Sequence, residues 1–251
     1  MRRCVDGKIC AWLLAVLMLL FLFAANLFWG SITIPGSEVL SALLGGECSR
    51  DVWRVVVLET RLPQALTALL AGAAISVAGL LLQTLFRNPL AGPEVLGVNS
   101  GAGLGVAVVM LLSGSAIAAG ELALGGYFAV LAGAFAGALL IMFIILLLAA
   151  ALRNNLYLLI AGVAVSYITS SAITLLNYFA TSEGVHSYMV WGMGSFGGVP
   201  ISQMSFFAPL VLFLLFVSLL MAKPLNAMML GDAYAGNLGV NVKAVRALSL
   251  C

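Results

Sequence analysis

Apolar residues in this chain run in long unbroken stretches, separated by short clusters of charge, and do not alternate with polar ones. The charge-poor stretches run from Ile9 to Ser37, Leu62 to Phe86, Val95 to Gly120, Leu122 to Leu152, Asn154 to Ser182 and Gly184 to Ala222. A helix needs about 20 mostly apolar residues to cross a bilayer. The pattern therefore predicts six spans, at 11–30, 62–84, 95–113, 122–150, 155–179 and 203–222. The last stretch is too long for one helix and contains the Gly-rich run Trp191 to Gly198 followed by Pro200. It predicts a short element near the surface, then a full span. Continuous runs argue against barrel strands, which alternate. The predicted fold is all-α, a polytopic helix bundle forming one transmembrane domain over 1–251. Beyond Lys243 and Arg246, the segment Ala247 to Cys251 reads as the start of a seventh helix.

Composition narrows the class. Of 251 residues 63% are hydrophobic and 8% charged, against about 25% charged in soluble domains. That balance excludes a soluble globule and makes the lipid bilayer the medium. The net charge is only +2, and no basic run interleaved with aromatics is present, so nucleic acid is not an expected partner. With six crossings, Arg2, Arg3, Lys8, Arg87, Arg153, Lys223, Lys243 and Arg246 share one side and Arg50, Arg54 and Arg61 the other. The larger basic group predicts a cytoplasmic amino terminus. The first apolar run exceeds a signal-peptide core and lacks a clear small-x-small cleavage site, so an uncleaved helix is expected.

Candidate chemistry is sparse. No acidic, basic or histidine residue lies inside a predicted span, which argues against an intramembrane charge relay or enzyme. No catalytic set, cofactor site or Walker loop is present, so any ATP dependence must come from a partner. His186 stands alone in an outer Gly-rich segment and reads as a loop residue, not a ligand. Cys4, Cys10, Cys48 and Cys251 form no disulfide or zinc pattern. Gly97, Gly101 and Gly105 lie four apart, as do Gly133 and Gly137, and Gly72 and Gly79 lie seven apart. Small faces of this kind serve static packing or sliding, with packing the commoner use. In the fifth span Ser166, Ser170, Thr174, Asn177 and Thr181 recur at helical spacing, with Tyr167, Ser171 and Tyr178 beside them. Such a stripe either bonds to neighbouring helices or lines an aqueous path.

Two segments carry a more specific pattern. One runs from Arg61-Leu62-Pro63-Gln64 through Gly72, Gly79 and Gln83 to Arg87-Asn88-Pro89-Leu90-Ala91-Gly92-Pro93 and Leu96-Gly97. Its prolines force a tight turn between the second and third spans. The other runs from Lys223-Pro224 through Leu230-Gly231-Asp232-Ala233-Tyr234-Ala235-Gly236-Asn237-Leu238-Gly239 to Arg246. With Leu159 to Ser166 and Trp191 to Ser195, these segments resemble the FecCD-type permeases, the membrane subunits of type II ABC importers for ferric siderophores, haem and cobalamin. The likeness covers the chain from Arg61 onward. It implies a permease without enzymatic activity or cofactor, paired with a second copy, two cytoplasmic ABC ATPases and an external solute-binding protein, in the inner membrane.

The resemblance also implies residue roles. Leu230, Gly231, Asp232, Tyr234, Ala235, Gly236, Leu238 and Gly239, within 223–243, would couple to the ATPase. Ser166, Ser170, Thr174, Asn177 and Tyr178 would line the translocation path. Arg87, Asn88 and Pro89 would form the cytoplasmic turn, and Arg61 and Gln64 would meet the binding protein. The family commonly carries arginine where Gln64 stands, which implies weaker docking or reliance on Arg50 and Arg54. An iron chelate is the first expectation for the cargo, as the commonest role in the family. A secondary carrier or channel working without nucleotide is the alternative.

Overall fold

The computed structural model describes residues 2–112, 123–151 and 155–250, and no strand occurs among the described residues. The helices are α1 (Arg2–Phe28), α2 (Gly36–Leu43), α3 (Asp51–Val55), α4 (Leu62–Phe86), α5 (Val98–Leu112), α6 (Ala123–Ala151), α7 (Asn155–Phe179), α8 (Ser182–Gly192), α9 (Ile201–Leu220), α10 (Ala222–Met229), α11 (Asp232–Asn237) and α12 (Val242–Leu250). A π-helical turn (Val56–Arg61) joins α3 to α4, and a 3-10 turn (Phe196–Gly198) precedes α9. The α8–α9 pair is the short element and span expected from the last apolar stretch. Arg153 and Cys251, used in the charge and cysteine readings, lie outside the described residues.

Among the described residues five segments are long and apolar enough to cross a bilayer: Lys8–Phe28, Asp51–Phe86, Phe128–Ala149, Tyr157–Phe179 and Ile201–Leu220. In the region of the expected span at 95–113 the helix begins at Val98, and residue 113 lies outside the described residues. The residues before it are committed to a turn, and Gly97 at φ +78° takes the left-handed backbone that ends that turn. The second span is longer than 62–84, since α3 runs on through the π turn into α4. Pro63 has no N–H to offer the carbonyl four residues back. The backbone widens there, with the Leu62 N–H reaching Val57 O.

The chain divides into two compact units. One comprises Met1–Ala74 and Ser195–Leu214, the other Ile75–Gly194 and Leu215–Cys251. In the first, α2 and α3 lie between the first two long apolar helices. Pro35 precedes α2, and Val39 and Ala42 turn inward with Ile34 and Val57, flanked by Phe28 and Trp53. A helix of eight residues is too short to register as a span yet long enough to bury one apolar face.

In the second unit α5 crosses α6 with backbone against backbone. A Cβ on Gly101 would sit 2.6 Å from the Gly137 carbonyl oxygen and one on Gly133 2.9 Å from that of Gly105, while Cβ atoms on Gly105 and Gly137 would overlap the opposing carbonyls outright. These glycines bring the two backbones into contact, and no side chain fits at them between the helices. Gly162 of α7 likewise admits Val95 O and the Leu96 Cα. A Cβ at Gly79 would meet no atom within 4 Å. A second core gathers Leu82, Leu85 and Phe86 of α4, Ala91 and Leu96 of the turn, Ile145 of α6, Leu158 of α7, and Leu225, Met228, Ala235 and Val245 of the three short carboxyl-terminal helices.

Candidate functional site

Three groups of predicted residues can now be placed, beginning with the α7 stripe. Each i+4 step along a helix advances about 40° around its axis, so the residues do not share one face. Ser166 and Asn177 turn partly inward, whereas Ser170 and Thr174 are exposed and Tyr178 is 82% exposed. Tyr167 and Ser171 join the exposed side. Ser166 Oγ donates to Gly162 O at 3.0 Å, Thr174 Oγ1 to Ser170 O at 3.0 Å, and Ser171 Oγ to Tyr167 O at 2.9 Å. Satisfied within the helix, these hydroxyls still present lone pairs outward. The buried Oδ1 of Asn177 has no hydrogen-bond partner among the described residues. The sequence reading passed over Thr169, which is buried and donates to Val165 O at 2.7 Å. One helical turn from Ser166, it had no feature to set it apart from its neighbours.

The second group lies where α4 ends. Asn88 accepts the Leu90 N–H on Oδ1 at 2.9 Å, its own N–H reaches Gln83 O at 3.1 Å, and the Ala91 N–H reaches Asn88 O at 3.1 Å. Pro89 and Pro93 carry no N–H that needs an acceptor, so the turn bonds to itself. Arg87 adopts φ +50°, the positive-φ non-glycine among the described residues. Its guanidinium donates to Met228 O at 2.6 Å, at the end of α10, and to Asp232 Oδ1 at 2.7 Å, at the start of α11. Arg246 of α12 approaches Asp232 Oδ2 at 3.6 Å. Gly231, at φ +130°, makes the break between α10 and α11. Sequence reading named Arg87, Asp232 and Arg246 separately and missed their pairing. The available signal was one acid and two arginines in segments otherwise nearly free of charge.

Within the expected coupling segment the side chains divide. Leu230, Tyr234 and Leu238 are 71%, 49% and 60% exposed, while Ala235 is fully buried in the core beneath them. Ala235 therefore lies in the support of these side chains and not on their exposed face. Asp232 and Gly236 are exposed, and nothing lies within 4 Å of a Cβ placed on Gly231, Gly236 or Gly239.

The third group surrounds Arg61, which is only 5% exposed. Its Nη1 donates to Leu27 O at 2.9 Å and Phe28 O at 3.0 Å, and its Nη2 donates to Ile32 O. These carbonyls close the carboxyl end of α1, where orphan acceptors and the helix dipole favour a cation. The expected outward docking contact is thus not what these donors do. Gln64 is half-buried, whereas Arg50 and Arg54 are exposed, with Arg50 lying over the Trp53 ring at 5.1 Å. Nearby, Glu38 accepts from the Ser49 hydroxyl and from its backbone N–H at 3.0 Å. Those bonds, the hydroxyl first, hold its carboxyl below the ordinary value of 4.5.

An apolar recess of about 470 Å³ wraps the end of α1 between Phe21, Phe28, Trp29 and Ile34, and another of about 430 Å³ lies beside Ser182, Glu183, His186 and Ser187. None of the predicted path residues lines either one. Cys10 and Cys48 are unpaired thiols. No trio of His, Cys, Asp or Glu converges among the described residues.

Comparison with known proteins gives concordant results. The profile of the FecCD transport family matches residues 17–251. The chain is 37% identical over 230 residues to the vitamin B12 import system permease protein BtuC of Klebsiella pneumoniae subsp. pneumoniae, covering 91% of this chain and 64% of that protein. It is also 37% identical over 213 residues to the protein of that name in Salmonella paratyphi A, covering 80% and 63%. The chain thus spans somewhat under two thirds of the length of these relatives. A solved structure of a metal-chelate type ABC transporter in an inward-facing conformation superposes with a TM-score of 0.76 at 25% identity, over 94% of this chain and 69% of that one. The polytopic all-α fold is therefore that of an ABC importer permease.

Proposed function

This chain belongs to the FecCD transport family, and from that premise we propose that it is the permease subunit of an ATP-driven importer carrying a bulky metal chelate across the inner membrane. The cargo is of the cobalamin class. The named relatives import vitamin B12, which favours that chelate over the ferric siderophore or haem expected from the family at large. The observation that carries the proposal is the division of the coupling segment. Leu230, Tyr234 and Leu238 stand out from a support that buries Ala235, a preformed apolar knob of the kind that seats in another protein's groove.

In this reading two copies of the permease assemble with two cytoplasmic ATPases and an external binding protein, and the amino terminus lies in the cytoplasm, as the distribution of Lys and Arg favours. Hydrolysis belongs to the ATPases. Their closure biases the permease pair between inward- and outward-open states through the knob. The exposed hydroxyls of Ser170, Thr174 and Tyr178 offer a wettable wall to the passing chelate, while Ser166 and Asn177 support it from the packed side. Docking of the binding protein rests on Arg50 and Arg54 in place of Arg61 and Gln64.

The test is uptake of labelled cobalamin into vesicles holding the full-length permease, with and without its ATPase and binding protein. Uptake that requires ATP and is not displaced by ferric siderophore or haem is expected. Uptake without ATPase would make the protein a secondary carrier and end the proposal. The sharpest variant is Gly236→Arg, at an exposed position with open space around it. It should abolish ATP-driven uptake while membrane insertion proceeds.

A further inference from the structure

The exposed knob does not by itself move anything. Something must carry its displacement to the spanning helices, and the contacts that do so are those between the coupling segment and the rest of its unit. Two kinds are present. Beneath lies the shared apolar core, in which Leu225, Met228 and Ala235 meet Leu82, Leu85, Phe86 and Leu96. Apolar contact resists separation but, having no direction, allows sliding. At the rim lies the polar set: Arg87 bonded to Met228 O and to Asp232, with Arg246 on the other carboxylate oxygen.

We infer that Arg87 and Asp232 form a positioning clamp that makes the turn after α4 and the α10–α11 junction move as one body, so that displacement of the knob reaches the spanning helix α4 directly. The inference rests on the permease reading above and adds to it a route and two residues.

Four features favour a clamp over an incidental surface pair. Arg87 follows α4 with no intervening loop, because Phe86 is the last helical residue. The turn it opens is bonded to itself through Asn88, so force on the guanidinium is not absorbed by a slack segment. Arg87 holds both sides of the Gly231 break at once, the last turn of α10 by a carbonyl and the first of α11 by a carboxylate. That is the arrangement needed to stop a glycine hinge from flexing. Finally, its own backbone sits at φ +50°, a conformation that costs a non-glycine residue energy and persists where surrounding contacts hold it. Arg246 completes the set by tying the same carboxylate to α12. The pair is about half exposed, so it contributes little to stability and can act on geometry without being essential to folding.

Three variants of the full-length permease, Arg87→Gln, Asp232→Asn and the double substitution, test the clamp in the assembled transporter. Hydrogen exchange reports on the joint itself. Amides of 232–238 should exchange several-fold faster in each variant, and in the unaltered protein they should accelerate at 1 M salt, where exposed charges are screened. Cobalamin imported per ATP hydrolysed reports on transmission. It should fall at least about threefold in each single variant, and in the double by less than the product of the two losses, since Arg87 and Asp232 share one bond. Losses that multiply in the double variant would show two independent roles and overturn the clamp. Faster exchange with unchanged import per ATP would reduce the pair to a structural tie and overturn it equally. An unaltered protein that imports without ATP would remove the permease reading, and the clamp's transport role with it, while the exchange result would still report on the joint.

Discussion

The start and end of α4 are each marked by an arginine that donates to backbone carbonyls closing another helix, and the two differ in what surrounds them. Arg61 is buried, forms no ion pair among the described residues and spends its donors on Leu27, Phe28 and Ile32. Arg87 is half exposed and divides its donors between Met228 O and the Asp232 carboxylate. A buried guanidinium cannot release its acceptors without leaving them bare of partners, whereas an exposed one can hand its partners to water. The first arrangement fixes structure. The second is adjustable, and it lies in the segment expected to move.

Removing the buried partner gives the largest expected effect. Arg61→Met should lower stability by about 3 kcal/mol or more, since carbonyls of buried and half-buried backbone lose their donor and each unsatisfied group costs about 1–3 kcal/mol. Thermal unfolding in nanodiscs would measure it. Arg61→Lys should be intermediate, because one ammonium cannot span the acceptors that a planar fork reaches. An unchanged midpoint for Arg61→Met would erase the distinction between the two arginines and restore the outward docking role.

A smaller effect sharpens the same point. A Cβ on Gly30 would lie 3.0 Å from Nε and Nη2 of Arg61, and the guanidinium cannot retreat while its carbonyls hold it. Gly30→Ala should cost about 1 kcal/mol by overpacking. In an Arg61→Met background the same substitution should cost almost nothing, because the obstructing group is gone. Equal costs in both backgrounds would mean that Arg61 is free to shift. Arg87→Gln comes next. For all its proposed influence on transport, it should change the unfolding free energy by less than about 1 kcal/mol, as exposed pairs do. A loss as large as that for Arg61→Met would show Arg87 to be structural as well.

How much of this could be read from the chain follows from what each feature depends on. The spans at 155–179 and 203–222 were legible because charges bracket uninterrupted apolar runs, and the structure places α7 and α9 within two residues of them. The α5–α6 crossing was legible as glycines four apart. Arg61 was not, because its acceptors are carbonyls and every residue carries one, so no side-chain pattern announces them. Helices α2 and α3 escaped because each is too short to show a period. The α7 stripe was recognised but not its division, since i+4 spacing looks uniform in sequence while it winds around the helix, carrying Tyr178 well away from Ser166. For the coupling segment, composition pointed to bulky and small residues in alternation, and only the fold could say that Ala235 is the one turned inward.

The smallest expected effect tests exposure itself, within the same unit as Arg61. Glu38 is partly exposed, and its bonds from the Ser49 hydroxyl and N–H draw its pKa below 4.5. A carboxylate whose folded pKa is depressed adds stability above its unfolded pKa and loses that increment as pH falls through the folded value. The α2 region should therefore be unaffected between pH 7 and pH 5 and soften only below about pH 4.5. Because the group is open to solvent, that change should stay well under the one for Arg61→Met. Amide exchange at Ser49, followed from pH 6 to pH 3 with Glu38→Gln as the control, would register it. The control should show no added acid sensitivity, its amide having no charge to lose. A steep acid transition at this exposed tie would mean that exposure does not separate fixed contacts from adjustable ones, and the contrast between Arg61 and Arg87 would need another cause.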